Sequence, residues 1–213
     1  MSLAARTFYR VAWAMLLLLG RVLFRIRMSG LENVPERGPF ILAPSHRSLL
    51  DIPFAAFVTH RRVCFMAKKE LFANRVLAWL IDAFGGFAVD RGTADRAALR
   101  AAGEVLDRGE LLALFPEGTR NTGPDLGSLY DGAAFLAARK SVPIVPIGIG
   151  GSEEILPSGK SWPTFRRVAI VVGRPISPPA MDGRARRQQV AALTGSLREE
   201  LQVAFSEALV RAG

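Results

Sequence analysis

The apolar run Leu111-Leu112-Ala113-Leu114 passes directly into Phe115-Pro116-Glu117-Gly118-Thr119-Arg120, and this junction constrains the chain more than any other segment. A short continuous apolar run reads as a buried strand. The proline stops it, and the hexapeptide then places a carboxylate, a guanidinium and a permissive glycine together at the strand's end. An Arg fork binds phosphate bidentately and a glycine lets the backbone approach a ligand closely, so the junction predicts a site for an anionic group.

A second run, Pro39-Phe40-Ile41-Leu42-Ala43-Pro44, stops in the same way before Ser45-His46-Arg47-Ser48-Leu49-Leu50-Asp51. Further strands are predicted over 63–67, 87–89, 144–148 and 168–172. Between them the spacing predicts helices over 49–58, with Pro53 in the first turn or bending the axis, 70–84, 95–108 and 133–139. A final helix over 188–210 is expected to lie across the sheet. Strands alternating with helices argue for an α/β fold, a single domain with a mixed, largely parallel sheet flanked by helices. A length of 213 residues suits one core of ordinary size. The Gly-, Ser- and Pro-rich loops 121–127 and 148–164 are long enough to suggest function.

Residues 1–30 form a segment apart from the 31–213 domain. On a helix Arg6, Arg10, Arg21 and Arg25 share one arc of about 100°, while Phe8, Val11, Trp13, Met15, Leu16, Leu18, Leu19, Val22 and Leu23 fill the rest. That pattern predicts an amphipathic helix lying in an anionic membrane surface, its arginines snorkelling to phosphate headgroups. The longest uncharged stretch near the N-terminus, Val11 to Gly20, is about half of the ~20 residues a spanning helix needs. Arg21 and Arg25 occupy the place of a secretory cleavage site, so the segment is expected to be retained, peripheral (monotopic), on the cytoplasmic face of the cell membrane.

Lys plus Arg exceed Asp plus Glu by nine, 28 against 19, which calls for an anionic partner without choosing among phosphate, nucleic acid and membrane. Cys64, the only cysteine, excludes an internal disulfide and reads as a small core residue. No metal is expected, because His46 and His60 have no further His or Cys at ligand spacing.

His46 and Asp51 are five residues apart, which on a continuous helix would place them about 140° from each other. They meet only if His46 occupies the turn before the helix and Asp51 points back from its first turns, with Ser48 available as the cap. Asp51 then accepts from one imidazole nitrogen and leaves the other to take a proton.

In order and spacing, the segments from His46 to Pro146 resemble the four motifs of the glycerophosphate and lysophosphatidate acyltransferase family. Ser45 to Asp51 is similar to its H-x-x-x-x-D motif, Gly86 to Arg91 to its short segment ending in a phosphate-binding Arg, the hexapeptide to its third motif, and Val142 to Ile147 to its proline-centred strand. The resemblance implies an O-acyltransferase with His46 as general base and Asp51 orienting it. It implies acceptor binding by Arg91, Glu117, Gly118, Thr119 and Arg120, Glu117 either holding the arginines or bonding the glycerol, with Pro146 on the acyl-donor side. The acceptor so implied is lysophosphatidate, acylated to phosphatidate in phospholipid synthesis. The donor is acyl-CoA or acyl carrier protein as co-substrate, with no cofactor. Another lysophospholipid, a lyso-aminolipid or glycerol 3-phosphate would serve the same catalytic pair. Three departures stand out: Ser45 where Asn is frequent, Asn121 where Ser is common, and Asp131 where many members carry Lys.

Two other classes compete. A serine hydrolase lacks its Gly-x-Ser-x-Gly elbow. A basic protein that binds membrane or nucleic acid without catalysis would explain the charge, yet the basic residues are spread in small groups rather than interleaved with aromatics on one face, so no nucleic-acid partner is expected.

Overall fold

The computed structural model describes residues 3–89, 95–155, 164–179 and 187–213. Each of the six predicted apolar runs forms a strand, and a seventh, unpredicted one precedes them: in chain order β1 (Arg27–Ser29), β2 (Ile41–Pro44), β3 (Val63–Lys68), β4 (Gly86–Val89), β5 (Leu111–Ala113), β6 (Ile144–Gly150) and β7 (Ala169–Val172). They make one sheet in the order β1-β7-β6-β2-β5-β3-β4. The five strands from β6 to β4 are parallel, and β7 runs antiparallel to β6 with β1 parallel to β7. The expected mixed, largely parallel sheet is what forms. The helices are α1 (Leu3–Leu23), α2 (Asp51–Ala56), α3 (Arg75–Ala83), α4 (Asp95–Asp107), α5 (Gly132–Lys140), α6 (Ser152–Ile155) and α7 (Arg187–Ala212).

Strand alternation sends side chains to two separate apolar layers. Ile41 and Ala43 join α4, α5 and α7 on one face, where Leu136, Leu197, Leu201 and Phe205 are buried. Phe40 and Leu42 join α1 and α2 on the other, with Trp13, Phe54 and Phe57. The strand order explains this division. The chain leaves β2 through α2 and crosses β5 to reach β3, and leaves β5 through α5 and crosses β2 to reach β6. Two connections departing in opposite directions from adjacent strands, with helices on opposite faces, open a crevice beyond their carboxyl ends. Both charged motifs begin there.

Four local expectations need correction. The helix expected over 70–84 is broken: Lys69–Ala73 forms a 3-10 turn, and α3 starts afresh because the Asn74 side chain accepts from the backbone N–H groups of Val76 and Leu77. Ser48 does not cap α2, whose N-cap is Leu50 without a side-chain bond. The 144–148 strand continues to Gly150, and α6 follows within what was read as a loop. The N-terminal helix ends at Leu23, Arg25 takes a left-handed φ of 46°, and Arg27 enters β1. Of the four-arginine stripe, Arg21 is exposed on the helix, Arg25 lies beyond it, and the side chains of Arg6 and Arg10 lie outside the described ones. Among the described residues no helix is long and apolar enough to cross a membrane.

As expected, α7 lies across the sheet, and two glycines permit it. A Cβ at Gly148 would stand 2.2 Å from the Ala204 carbonyl oxygen, and one at Gly150 2.4 Å from the Ala208 backbone. Backbone cannot yield as a flexible side chain does. Gly148→Ala is therefore expected to destabilise by roughly 2–3 kcal/mol, and Gly195→Ala, where a Cβ meets nothing within 4 Å, to stabilise by roughly 1 kcal/mol. Urea midpoints of the two variants moving in the same direction would contradict this packing.

Candidate active site

His46 occupies the turn between β2 and α2, and Asp51 is the first residue of α2, fully buried. One carboxylate oxygen, Asp51 Oδ2, gathers three donors: the backbone N–H of Arg47 at 2.5 Å, that of Ser48 at 2.6 Å, and His46 Nδ1 at 3.2 Å. The two amides fix the carboxylate, and the carboxylate fixes the ring. A carboxylate accepts, so this contact selects the neutral tautomer in which Nδ1 carries the hydrogen and Nε2 offers a lone pair. The Phe115 ring lies against the imidazole, centroids 4.1 Å apart and planes tilted by 32°. Among the described residues the His46 ring is held by one hydrogen bond and one ring contact, its side chain 15% exposed.

Glu117 is turned inward. Its Oε1 accepts the His46 backbone N–H at 3.0 Å, its Oε2 accepts Asn121 Nδ2 at 2.8 Å and the Gly127 N–H at 2.9 Å, and Arg47 Nη1 lies 3.0 Å from both oxygens. Burial pushes the Glu117 pKa up, but the Gly127 and His46 amides and the Arg47 charge outweigh it, and the carboxyl lies below its ordinary range. Arg47 is buried with it, stacked over the Phe205 ring at 4.5 Å. Its remaining donors go to the carbonyls of His46, Gly123 and Asp125 at 2.9, 3.3 and 2.9 Å. The two motifs are thus tied through a buried ion pair, and the sequence reading overlooked its cationic half. Nothing in the sequence marks Arg47 as buried; its place beside the histidine is the only signal.

The 121–127 loop is clamped from α7. Gln202 Oε1 accepts from the Leu126 N–H at 3.0 Å and Gln202 Nε2 donates to the Pro124 carbonyl at 3.2 Å, while Arg198 donates to the carbonyls of Gly127 and Leu126. Gln202 and Arg198 were likewise not anticipated. Ser45 is buried, and its Oγ accepts the Ile149 N–H at 3.0 Å, stitching β2 to β6. Asp131 accepts from Thr194 Oγ1 at 2.7 Å.

The remaining predicted residues fall around this frame. Gly118 has φ 67°, and the Tyr130 ring occupies the space a Cβ would take. Thr119 and Arg120 are exposed at the rim, and the Arg120 guanidinium has no hydrogen-bond or ion-pair partner among the described residues. Pro146 sits in β6 opposite Ala43 of β2, its carbonyl accepting from Gly173. Arg91 lies outside the described residues. Cys64 is a core residue as expected; burial, then the Glu110 carboxylate, push its thiol up to about 11. Beside Asp51, Ile52 and Pro53 line an apolar cavity of about 250 Å3 that continues between α1, α2 and α3 past Trp13, Leu16 and Leu80.

A family model described as Acyltransferase matches residues 25–150. The 1-acyl-sn-glycerol-3-phosphate acyltransferase of Bacillus subtilis is 26% identical over 178 residues, 83% of this chain and 86% of that one. The enzyme of the same name from Streptococcus pneumoniae is 32% identical over 148 residues, 68% of this chain and 53% of that one. The crystal structure of the 1-acyl-sn-glycerophosphate acyltransferase from Thermotoga maritima matches with a TM-score of 0.74 at 26% identity, covering 99% of this chain and 79% of that one.

Proposed function

Since the chain belongs to the acyltransferase family, we propose that it is a peripheral membrane O-acyltransferase that converts lysophosphatidate to phosphatidate with a fatty acyl thioester as donor. The observation that carries the chemistry is Asp51 Oδ2, which fixes His46 Nδ1 while two backbone amides hold the carboxylate in place. His46 Nε2 takes the proton of the acceptor hydroxyl as its oxygen attacks the thioester carbonyl carbon. The carbon–sulfur bond breaks, and the imidazolium returns the proton to the departing thiolate, so no protein nucleophile is required. Asp51 stabilises the imidazolium between the two steps.

Arg120, exposed and without a partner among the described residues, binds the acceptor phosphate, together with Arg91; Gly118 and Thr119 bring the backbone of the hexapeptide to the same group. Glu117 serves acceptor binding through the frame it holds around His46 and Arg47. The apolar cavity behind Ile52 takes an acyl chain, and Pro146 lies on the donor side. Acyl-CoA and acyl carrier protein both present the required thioester. The exposed apolar face of α1, with Val11, Met15, Leu18, Leu19 and Val22, lies in an anionic bilayer on its cytoplasmic side.

The direct test is acyl transfer from a long-chain acyl-CoA to lysophosphatidate in mixed micelles, repeated with acyl carrier protein as donor. Formation of phosphatidate supports the reading. Failure with both donors, and transfer to another lysophospholipid or to glycerol 3-phosphate, would move the acceptor assignment. Arg120→Ala is expected to raise the acceptor KM roughly tenfold and to leave the donor KM alone, since it removes one charge-assisted contact. An unchanged acceptor KM would remove Arg120 from the phosphate site.

A further inference from the structure

A groove of about 590 Å3 runs between α4 and α5, on the face of the sheet opposite the cavity behind Ile52. The two helices run in the same direction. A Cβ on Gly132, at the start of α5, would stand 3.6 Å from Leu99, and one on Gly103 would meet Lys140 and Leu136. At the far end the Lys140 ammonium bonds both carboxylate oxygens of Asp107. Leu99, Phe135 and Leu136 form an apolar floor, left open where Gly103 has no side chain, and Arg100, Glu104 and Arg139 stand on the walls. Lys140 is neutralised by Asp107, but the exposed Arg100 and Arg139 guanidinium groups have no hydrogen-bond or ion-pair partner among the described residues. An apolar floor edged by unpaired cations suits an anionic amphiphile, and the volume is that of a small-molecule pocket, roughly 300–1,000 Å3.

We propose that this groove binds the adenosine 3′,5′-bisphosphate end of an acyl-CoA donor. This rests on the acyl-transfer reading given above and selects the nucleotide thioester as donor. The spacing of the cations favours two anionic groups over one. Arg100 is level with the first turn of α5 and Arg139 is in its last, roughly 9 Å further along the helix axis. Coenzyme A carries its diphosphate and its 3′-phosphate on either side of one ribose, and each suits an Arg fork. Glu104, which would repel a lone phosphate, accepts from the exocyclic amine of adenine, while Phe135 and Leu99 offer the base an apolar face.

The groove also points the right way. Just before α5, the Tyr130 N–H bonds the Pro116 carbonyl of the hexapeptide, so the end at Leu99 and Gly132 is the one nearer the crevice. Arg100 at that end takes the diphosphate, from which the pantetheine arm leads to His46, and Arg139 takes the 3′-phosphate. In a thioester the acyl chain and the pantetheine arm leave the carbonyl carbon in opposite directions. The cavity behind Ile52 and this groove lie on opposite faces of the sheet, with the crevice between them.

The test uses the full chain in detergent micelles. Titrated calorimetrically, adenosine 3′,5′-bisphosphate is expected to bind wild type, and to bind the double variant Arg100→Ser, Arg139→Ser about tenfold more weakly or worse. In transfer to lysophosphatidate the variant should raise KM about tenfold for a long-chain acyl-CoA. The KM for the same acyl group on pantetheine, which has no nucleotide, and the acceptor KM should stay as in wild type. Both side chains are exposed, so the circular dichroism of the variant should match wild type.

No binding of the bisphosphate by wild type, equal affinity in the two proteins, or a KM that rises alike for both thioesters overturns the proposal. A variant impaired only with acyl carrier protein as donor would assign the groove to that protein and overturn it as well. If wild type transfers from neither thioester, the acyl-transfer reading falls, and the bisphosphate titration alone decides whether the groove is a nucleotide site.

Discussion

His46→Ala is expected to lower kcat by between about 10² and 10⁴ while the fold and the acceptor KM stay near wild type. Its imidazole is at the crevice and not in either apolar layer, so truncation gives up the Phe115 ring contact and one hydrogen bond, a modest loss of stability. Asp51→Asn divides the two roles of the carboxylate. An amide oxygen in the place of Oδ2 still accepts from the Arg47 and Ser48 amides and from His46 Nδ1, so the tautomer and ring orientation survive. What disappears is the negative charge that stabilises the imidazolium. The expected order of kcat is wild type, then Asp51→Asn, then His46→Ala, read by transfer to lysophosphatidate alongside circular dichroism and thermal melts. If His46→Ala kept its rate within tenfold of wild type, the base would have to be another group.

The sheet was legible because each of its central strands is a continuous apolar run stopped by proline, glycine or charge, a pattern that parallel strands covered on both faces must show. The two strands that bring the site together, β2 and β5, carry the clearest such stops, at Pro44 and Pro116. β1 was missed for the complementary reason. Three residues with a cation at their head carry no period, and they become a strand because β7 offers an edge, a contact more than a hundred residues away in sequence. The break in the 70–84 helix was present in the sequence as Asn74, but an asparagine within an apolar spacing reads as a surface position until its side chain is seen accepting from Val76 and Leu77. The site was legible as an anion-binding strand end and a His–Asp pair. Its frame was not, because the meaning of Arg47, Gln202 and Arg198 depends on a loop folding back under α7. A charged residue that is solvated and one that is buried against a carboxylate look identical in a string of letters.

Breaking the Arg47–Glu117 pair is expected to be the most destabilising single change at the site. Both side chains are buried, so removing either partner strands the other's charge away from water, and the typical loss is about 3–5 kcal/mol. Glu117→Ala does more than remove a charge. It leaves the His46 and Gly127 amides and the Asn121 side-chain amide without their acceptor, so the motif turn and the 121–127 loop loosen together. Arg47→Met frees the carbonyls of His46, Gly123 and Asp125 from the opposite side. Glu117→Gln keeps the shape and one acceptor oxygen, and isolates the charge. Because folding lowers the Glu117 pKa, the native state binds fewer protons than the unfolded state in the range between the two values, so its contribution rises with pH there. It is fully present above the ordinary carboxylate pKa of about 4.3 and is lost as pH falls through the folded value. The gap in unfolding free energy between wild type and Glu117→Gln should therefore be wide at pH 7 and narrow on acidification below about pH 4. Since the carboxylate grips the His46 amide, the same variant should lose kcat as well as stability. A Glu117→Gln protein of wild-type stability whose only defect is a raised acceptor KM would mean instead that the carboxylate meets the acceptor directly and that the frame is held by other bonds.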